Sequence, residues 1–345
     1  MGKGSTFWLL SLFKRKQWLC LFAVFLLISF ISSLIYTLQK NSNYTKLKLG
    51  SLSQAFYLRV SHHLEKCVYE LNDTTRGPIK ADTRLILKYE EIREDLSHSL
   101  KLGGHFSPAS CKSKHKVAVI VPFRDREVHL KIFLIHMHPF LQRQNIVYSI
   151  IIVEQEAGVP FNRALLLNVG FVEALKIHDF TCFVFHDVDL LPLDDRILYT
   201  CSDEPVHLSA TIDSHGNKLM YQNIFGGASM MTKDMVEKVN GFSNLYFGWG
   251  GEDDDMSYRV RSHAMMIVRY APEIAKYTMM RHAKENQEDR SSLFSSSKKR
   301  IHHDGLNTLK YQLLELKLLP LYTWLYVRVN MTQILDNPYL YNSSS

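Results

Sequence analysis

The sequence predicts an α/β fold, a largely parallel sheet covered by helices on both faces, preceded by a single membrane-spanning helix. Three observations carry this. Apolar runs rich in β-branched and aromatic residues alternate with longer segments of helical periodicity, the pattern of a sheet buried on both sides. Two of those runs end in clusters of charge, at Arg124 to Glu127 and at Asp187 to Asp189. Residues 18–38 are 21 in number without a charge, about 32 Å as a helix at 1.5 Å per residue and so long enough to cross a bilayer.

The elements follow in order. Residues 1–17 read as a cytosolic tail, because Lys14, Arg15 and Lys16 directly precede the apolar run and hold that side inside. Lys40, Lys46 and Lys48 weaken the bias without reversing it. A cleaved signal peptide is the alternative, but the run is long and no small-x-small cleavage site stands out. Residues 39–105 read as a polar luminal stem, of which 76–94 is a candidate to pack on the main domain. That domain spans 106–335, with a flexible tail at 336–345. Within it, strands are expected at 116–121, 148–154 and 180–185, and helices at 127–144 and 162–176. No internal repeat is visible.

A luminal body agrees with two further features. Asn43, Asn72, Asn330 and Asn342 each begin an Asn-x-Ser/Thr glycosylation acceptor. Of five cysteines, Cys20 lies in the apolar run, which leaves Cys67, Cys111, Cys182 and Cys201 as an even set with three possible connectivities. An oxidising lumen favours two bridges, and free buried thiols are the alternative. The net charge of +7 is spread along the chain, with no basic run longer than Lys298 to Arg300. That argues against a dedicated nucleic-acid binder, yet allows a basic wall for an anionic ligand.

Five segments carry chemistry. In HDVDL, alternation along the strand brings Asp187 and Asp189 out together at its carboxyl end, where open α/β sheets bind ligands. Such a pair suits a hard divalent cation carrying phosphate oxygens. In FGWGGEDDD, Trp249 sits beside Gly250 and Gly251, ahead of Glu252, Asp253, Asp254 and Asp255. Four adjacent carboxylates suit a solvated face, or a site where substrate hydroxyls and a cationic wall share the load. The glycine-mounted Trp favours the second. VPFRDRE places Arg124 and Arg126 after a strand, able to meet a nucleobase edge or a diphosphate, or to pair with Asp125 and Glu127. FNRALLLNVGF offers Phe161 for stacking, or for a buried helix start, and Arg163 near the same sheet end. In MMRH, Met279 and His282 stand about one turn apart and so can face one ion, although a thioether is an odd partner for a hard cation.

These segments, with DGLNTLKY after them, occur in the order found in the β-1,4-galactosyltransferase family, which the chain closely resembles from about Cys67 to Asn330. The resemblance implies a nucleotide-sugar transferase fold of the A type, a Rossmann-like mixed sheet. It implies a Golgi type II membrane enzyme that uses Mn²⁺ and a UDP-sugar and forms a β-1,4 bond to terminal GlcNAc with inversion. It assigns Asp189, Met279 and His282 to the metal. Pro122, Phe123, Arg124, Arg126, Phe161, Arg163, Asp187 and Val188 would hold UDP. Trp249 would ride the closing loop on Gly250 and Gly251. Glu252 and Asp253 would hold the sugars, with Asp253 as base, and Tyr221, Gly227, Asp254 and Arg290 would line the acceptor site. The implied bridges are Cys67–Cys111 and Cys182–Cys201. A partner subunit or homodimer is compatible with this reading.

The chain departs from the family pattern at several positions. Ile224 stands where galactose-transferring members carry Tyr, which makes room beside the donor's C2 and points to UDP-GalNAc at least as much as UDP-Gal. Ser214 replaces a lysine near the diphosphate, Ser291 replaces a Phe of the acceptor's N-acetyl pocket, and Phe247 replaces a Trp. A strict UDP-Gal transferase is the alternative donor reading. A metal-dependent phosphohydrolase and a sugar-binding lectin are the rival classes.

Overall fold

The structure, a computed structural model, describes residues 65–69, 76–84, 88–96, 99–282 and 290–336. These belong to a compact unit that starts at Glu65. The expected anchor at 18–38, Asn43, Asn72, Asn342 and residues 337–345 lie outside the described residues. Among the described residues no helix is long and apolar enough to cross a membrane.

In chain order the unit holds α1 (Tyr89–Leu96), β1 (Lys116–Phe123), α2 (Glu127–Gln142), β2 (Val147–Gln155), α3 (Arg163–Ile177) and β3 (Cys182–His186). Then come β4 (Leu190–Pro192), β5 (Val206–His207), β6 (Thr211–Ile212), β7 (Ala228–Thr232), α4 (Lys233–Lys238) and α5 (Glu252–Ser262). The chain closes with β8 (Lys276–Met279), α6 (Ser291–Ser295), α7 (Ser297–Arg300), β9 (Gln312–Leu318), β10 (Thr323–Arg328) and α8 (Met331–Leu335).

The main sheet has the order β5-β7-β3-β1-β2-β10-β9. Its centre is parallel, β1 pairing with β2 and β3, and β10 with β2. The flanks are antiparallel, β7 on β3, β5 on β7 and β9 on β10. The sheet is therefore mixed. Its middle is the part legible as continuous apolar runs, since only strands covered on both faces read that way. Period-two alternation then sorts β1 between two cores. Val117, Val119 and Val121 join Leu130, Phe133 and Met137 of α2 on one face. Ala118 and Ile120 join Leu165, Leu166 and Val169 of α3 on the other. The helix α3 comes so close that a Cβ on Gly170 would lie 2.3 Å from Ile120 Cγ2.

A second sheet, β4-β8-β6, stands at the carboxyl end of β3. Pro192 is the last residue of β4, opposite Tyr277. The body also takes in residues that the sequence places in the stem. Ile79 N donates to Leu193 O at 2.9 Å, Gly77 N to Asp195 Oδ1 at 2.6 Å, and α1 packs on α2. Disulfides join Cys67 to Cys111 and Cys182 to Cys201, with Cα separations of 5.0 and 5.4 Å.

Candidate active site

The carboxyl ends of β1, β2 and β3 lie side by side, and the charged segments converge there. The start of α3 is fixed from two directions. Asn162 caps the helix by accepting from Leu165 N at 2.9 Å, its backbone N donates to Gln155 Oε1 at 2.8 Å, and its Nδ2 donates to Asn244 O at 2.7 Å. The next residue, Arg163, is thereby aimed into the site. Its Nε donates to Asp187 Oδ1 at 2.5 Å, and its Nη1 lies 3.6 Å from Glu252 Oε1. One guanidinium joins the end of β3 to the acid-rich segment.

That segment is the first turn of α5, where the aligned peptide dipoles favour negative charge. Its four carboxylates diverge towards different partners, although neighbours still repel one another. Glu252 meets Arg163. Asp253 lies against the loop before β7, so that a Cβ on Gly226 would fall 2.4 Å from its Oδ2. Asp254 Oδ1 accepts from the Tyr221 hydroxyl at 2.8 Å. Asp255 turns into the interior and pairs with Arg259 at 2.6 Å and Arg300 at 3.2 Å. Burial, with Asp253 next to it, pushes the Glu252 carboxyl up to about 7. Burial and Asp254 raise Asp253 in the same direction, so both carboxyls hold protons more tightly than ordinary side chains. Glu252 Oε2 is buried and has no hydrogen-bond partner among the described residues.

Trp249 is 53% exposed on a loop whose Gly248, Gly250 and Gly251 have φ of 82°, 103° and 91°. A side chain at those positions would strain the backbone, so glycine is required for this shape. The loop's ends are held firmly. Tyr246 donates to Asp255 Oδ2 at 3.0 Å, Gly248 N donates to Phe161 O at 2.8 Å, and Arg290 Nη2 donates to Phe247 O. Phe247 is itself buried in the core.

The metal candidates meet through strand pairing. Met279 stands opposite Leu190, and Met280 N donates to Asp189 O at 2.8 Å. His282 Nε2 then lies 3.0 Å from Asp189 Oδ2. Met279 and His282 were expected one helical turn apart, but Met279 ends β8 and His282 follows outside any helix or strand. The pairing of β4 with β8 is what brings them to Asp189. Burial and then Asp187 raise the Asp189 carboxyl to about 6, the behaviour of a group placed where a cation is wanted. One carboxylate and one imidazole suit a divalent transition metal, and the thioether is the soft donor in an otherwise hard to borderline set. Ser214 Oγ lies 3.5 Å from Met279 Sδ, so a hydroxyl borders this cluster.

The remaining residues fall around this frame. Arg124 forms no ion pair with Asp125 or Glu127. Its Nη1 donates to Val159 O at 2.8 Å and its guanidinium covers the Phe161 ring at 5.2 Å. Arg126 precedes α2, while Pro122, Phe123 and Val188 are buried beside the strand ends. Gly227 has φ of 74°, and its carbonyl accepts from Asp187 N at 2.9 Å. Ile224, half-buried, lies between Tyr221 and β7. Ser291 opens α6 directly after Arg290. Asn330 Oδ1 caps α8 through Gln333 N at 3.0 Å, outside this cluster. Sequence reasoning missed Gly226, whose need for glycine comes from contact with Asp253. The Gly-Gly pair ahead of a strand was the available signal.

The family model for the N-terminal region of glycosyl transferase group 7 matches residues 67–202, and that for the N-terminal domain of galactosyltransferase matches residues 206–283. The chain is 42% identical over 257 residues to beta-1,4-galactosyltransferase 1 of Mus musculus, covering 73% of this chain and 64% of the relative. Against beta-1,4-galactosyltransferase 4 of Cricetulus griseus it is 47% identical over 225 residues, covering 64% and 65%. Against the Mus musculus beta-1,4-galactosyltransferase 4 it is 43% identical over 250 residues, covering 71% and 73%. The chain thus spans slightly less than two thirds of the first two relatives. The catalytic domain of Drosophila beta-1,4-galactosyltransferase 7, solved with xylobiose, superposes with a TM-score of 0.56 at 30% identity, covering 66% of this chain and 98% of that one. A mutant of that Drosophila enzyme, solved with manganese, UDP-Gal and xylobiose, superposes equally well. The chain belongs to the β-1,4-galactosyltransferase family.

Proposed function

We propose that the protein is an inverting, Mn²⁺-dependent β-1,4-glycosyltransferase that moves GalNAc or Gal from a UDP-sugar to the 4-hydroxyl of terminal GlcNAc on glycoproteins or glycolipids. In this reading residues 18–38 anchor it as a single-pass type II protein of the Golgi membrane, 39–64 act as the stem, and the body faces the lumen. The observation that carries the reading is the chain of contacts from Asp187 through Arg163 to Glu252, with Asp253 next to it against Gly226. It supports a reading in which Glu252 and the half-buried Asp253 stand between the strand ends that would hold a nucleotide and the Tyr221–Asp254 pair that would meet an acceptor. The Drosophila enzyme, solved with xylobiose and, as a mutant, with manganese, UDP-Gal and xylobiose, supports the same substrate classes.

Asp189, Met279 and His282 would hold Mn²⁺, which supplies charge neutralisation for the leaving diphosphate. Arg163, with Arg124 and Arg126, adds positive charge on that side. Asp253 takes the proton of the acceptor hydroxyl as its oxygen bonds to the sugar's anomeric carbon. The bond from that carbon to the diphosphate oxygen breaks, UDP leaves, and the configuration inverts. A carboxylate whose proton affinity is raised by burial is suited to that task. Glu252, through its unpartnered Oε2, accepts a sugar hydroxyl. The Trp249 loop covers the sugars and excludes water, the competing acceptor.

Isolated luminal protein, given Mn²⁺, a GlcNAc β-glycoside and either UDP-GalNAc or UDP-Gal, is expected to yield a β-1,4-linked disaccharide by NMR. Hydrolysis of UDP-sugar without a disaccharide would favour the phosphohydrolase. Sugar binding without Mn²⁺-dependent UDP binding would favour the lectin.

A further inference from the structure

We propose that Arg269 and His207 are positioning residues that set donor selectivity by fixing the backbone of the loop carrying Ile224. The inference rests on the reading of Ile224 as the wall beside the donor's C2. Neither residue belongs to a segment with recognisable chemistry. The geometry, however, makes them a single prop. Arg269 Nη2 donates to Gln222 O at 3.0 Å and to Ile224 O at 2.8 Å, and its Nε donates to His207 Nδ1 at 3.0 Å. His207 Nε2 lies 3.0 Å from Gly226 O. Because Nδ1 accepts from a guanidinium, the ring proton sits on Nε2 and is donated to that carbonyl. Three carbonyls at alternate residues, 222, 224 and 226, are thus held from one side.

The prop is itself rigidly mounted. His207 N donates to Val268 O and Val268 N to Pro205 O, both at 2.9 Å, which locks the segment before Arg269 to β5. His207 is 1% exposed, and burial together with Arg269 pushes its imidazole down to about 3, so it stays neutral and keeps accepting. All the acceptors of Arg269 are neutral, so its charge is spent on backbone geometry and not on an ion pair. Ser209 Oγ adds a second hold on Gly226 O at 3.2 Å. At its far end the same loop touches Asp253 through Gly226. A loop fixed in this way presents Ile224 at one depth. Released, it lets the residue at 224 move aside, and its size then ceases to discriminate between donors.

The test is a cycle read as the ratio of kcat/KM for UDP-GalNAc over UDP-Gal. Ile224→Tyr is made in the native chain and in Arg269→Ala. Each ratio comes from one preparation, so loss of folded protein cancels. In the native chain the exchange should lower the ratio by at least ~10-fold, the low end for small apolar differences. In Arg269→Ala it should change the ratio no more than about 2-fold, with Mn²⁺-dependent UDP affinity unchanged, since the UDP-holding residues lie on other elements. Arg269→Lys, which reaches one carbonyl, should give an intermediate change and serves alone if Arg269→Ala does not fold. An equal effect of Ile224→Tyr in the native chain and in the Arg269 variants overturns the inference. If the exchange changes nothing in the native chain, the donor reading of Ile224 fails, and the inference falls with it.

Discussion

Glu252 concentrates the electrostatic tension of the site in one side chain. Its Oε1 faces Arg163, its Oε2 is buried without a partner among the described residues, and its carboxyl is pushed to about 7 by burial and Asp253. A carboxyl with a raised folded-state value binds its proton more tightly in the folded chain than in the unfolded one. Stability therefore falls as pH rises from the ordinary 4.5 towards about 7. Without Mn²⁺ and nucleotide, Glu252→Gln should flatten the decline of Tm across that window. Parallel Tm–pH curves for the two proteins would refute the assignment. That Asp187, Asp189, Trp249, Glu252, Asp253 and Asp254 belong to a candidate site was legible because neighbouring residues marked them. The roles of Gly226 and Asp255 were not, since each is defined by a residue or a surface distant in sequence.

The acid helix α5 is held by a buried network that ties it to the segment after Arg290. Asp255 pairs with Arg259 and Arg300, Asp304 pairs with the same two arginines, and all four side chains are at most 1% exposed. Ser297 Oγ at 2.5 Å and the Tyr246 hydroxyl at 3.0 Å complete Asp255 Oδ2, so the network also clamps the base of the Trp249 loop. Removing one partner from such a cluster leaves a buried charge uncompensated. Arg300→Ala should destabilise the fold by about 3–5 kcal/mol, measured as the shift in urea unfolding. A loss below about 1 kcal/mol, the range of surface pairs, would show that the network does not carry this load. At this scale the apolar runs of β1, β2 and β3 and the helices α2 and α3 were readable from periodicity. The pairing of β4 with β8, which assembles the metal candidates, and the antiparallel flanks were not. Short strands leave too few residues for a pattern, and their partners are chosen by tertiary contact.

Across the whole molecule, two kinds of contact reach the same place. The sheet delivers Asp187 and Asp189 on its carboxyl edge, and α5 delivers Glu252 and Asp253 from its first turn, with Arg163 between them. The two disulfides suit the oxidising lumen in which the proposed anchor would place the body. The fold class was legible from alternating elements, and the site's order along the chain from its motifs. How deeply each carboxylate is buried, and which one faces which partner, emerged only in three dimensions. The central claim is that Asp253 is the base of a sugar transfer for which the donor is held elsewhere. It is tested by Asp253→Asn in the purified protein, measuring UDP-sugar affinity by calorimetry with Mn²⁺ and kcat for transfer to GlcNAc. The account predicts affinity within about 2-fold of native and kcat lower by ~10²–10⁴. Near-native kcat would contradict it, as would lost donor affinity with turnover intact, which would move the base to Glu252.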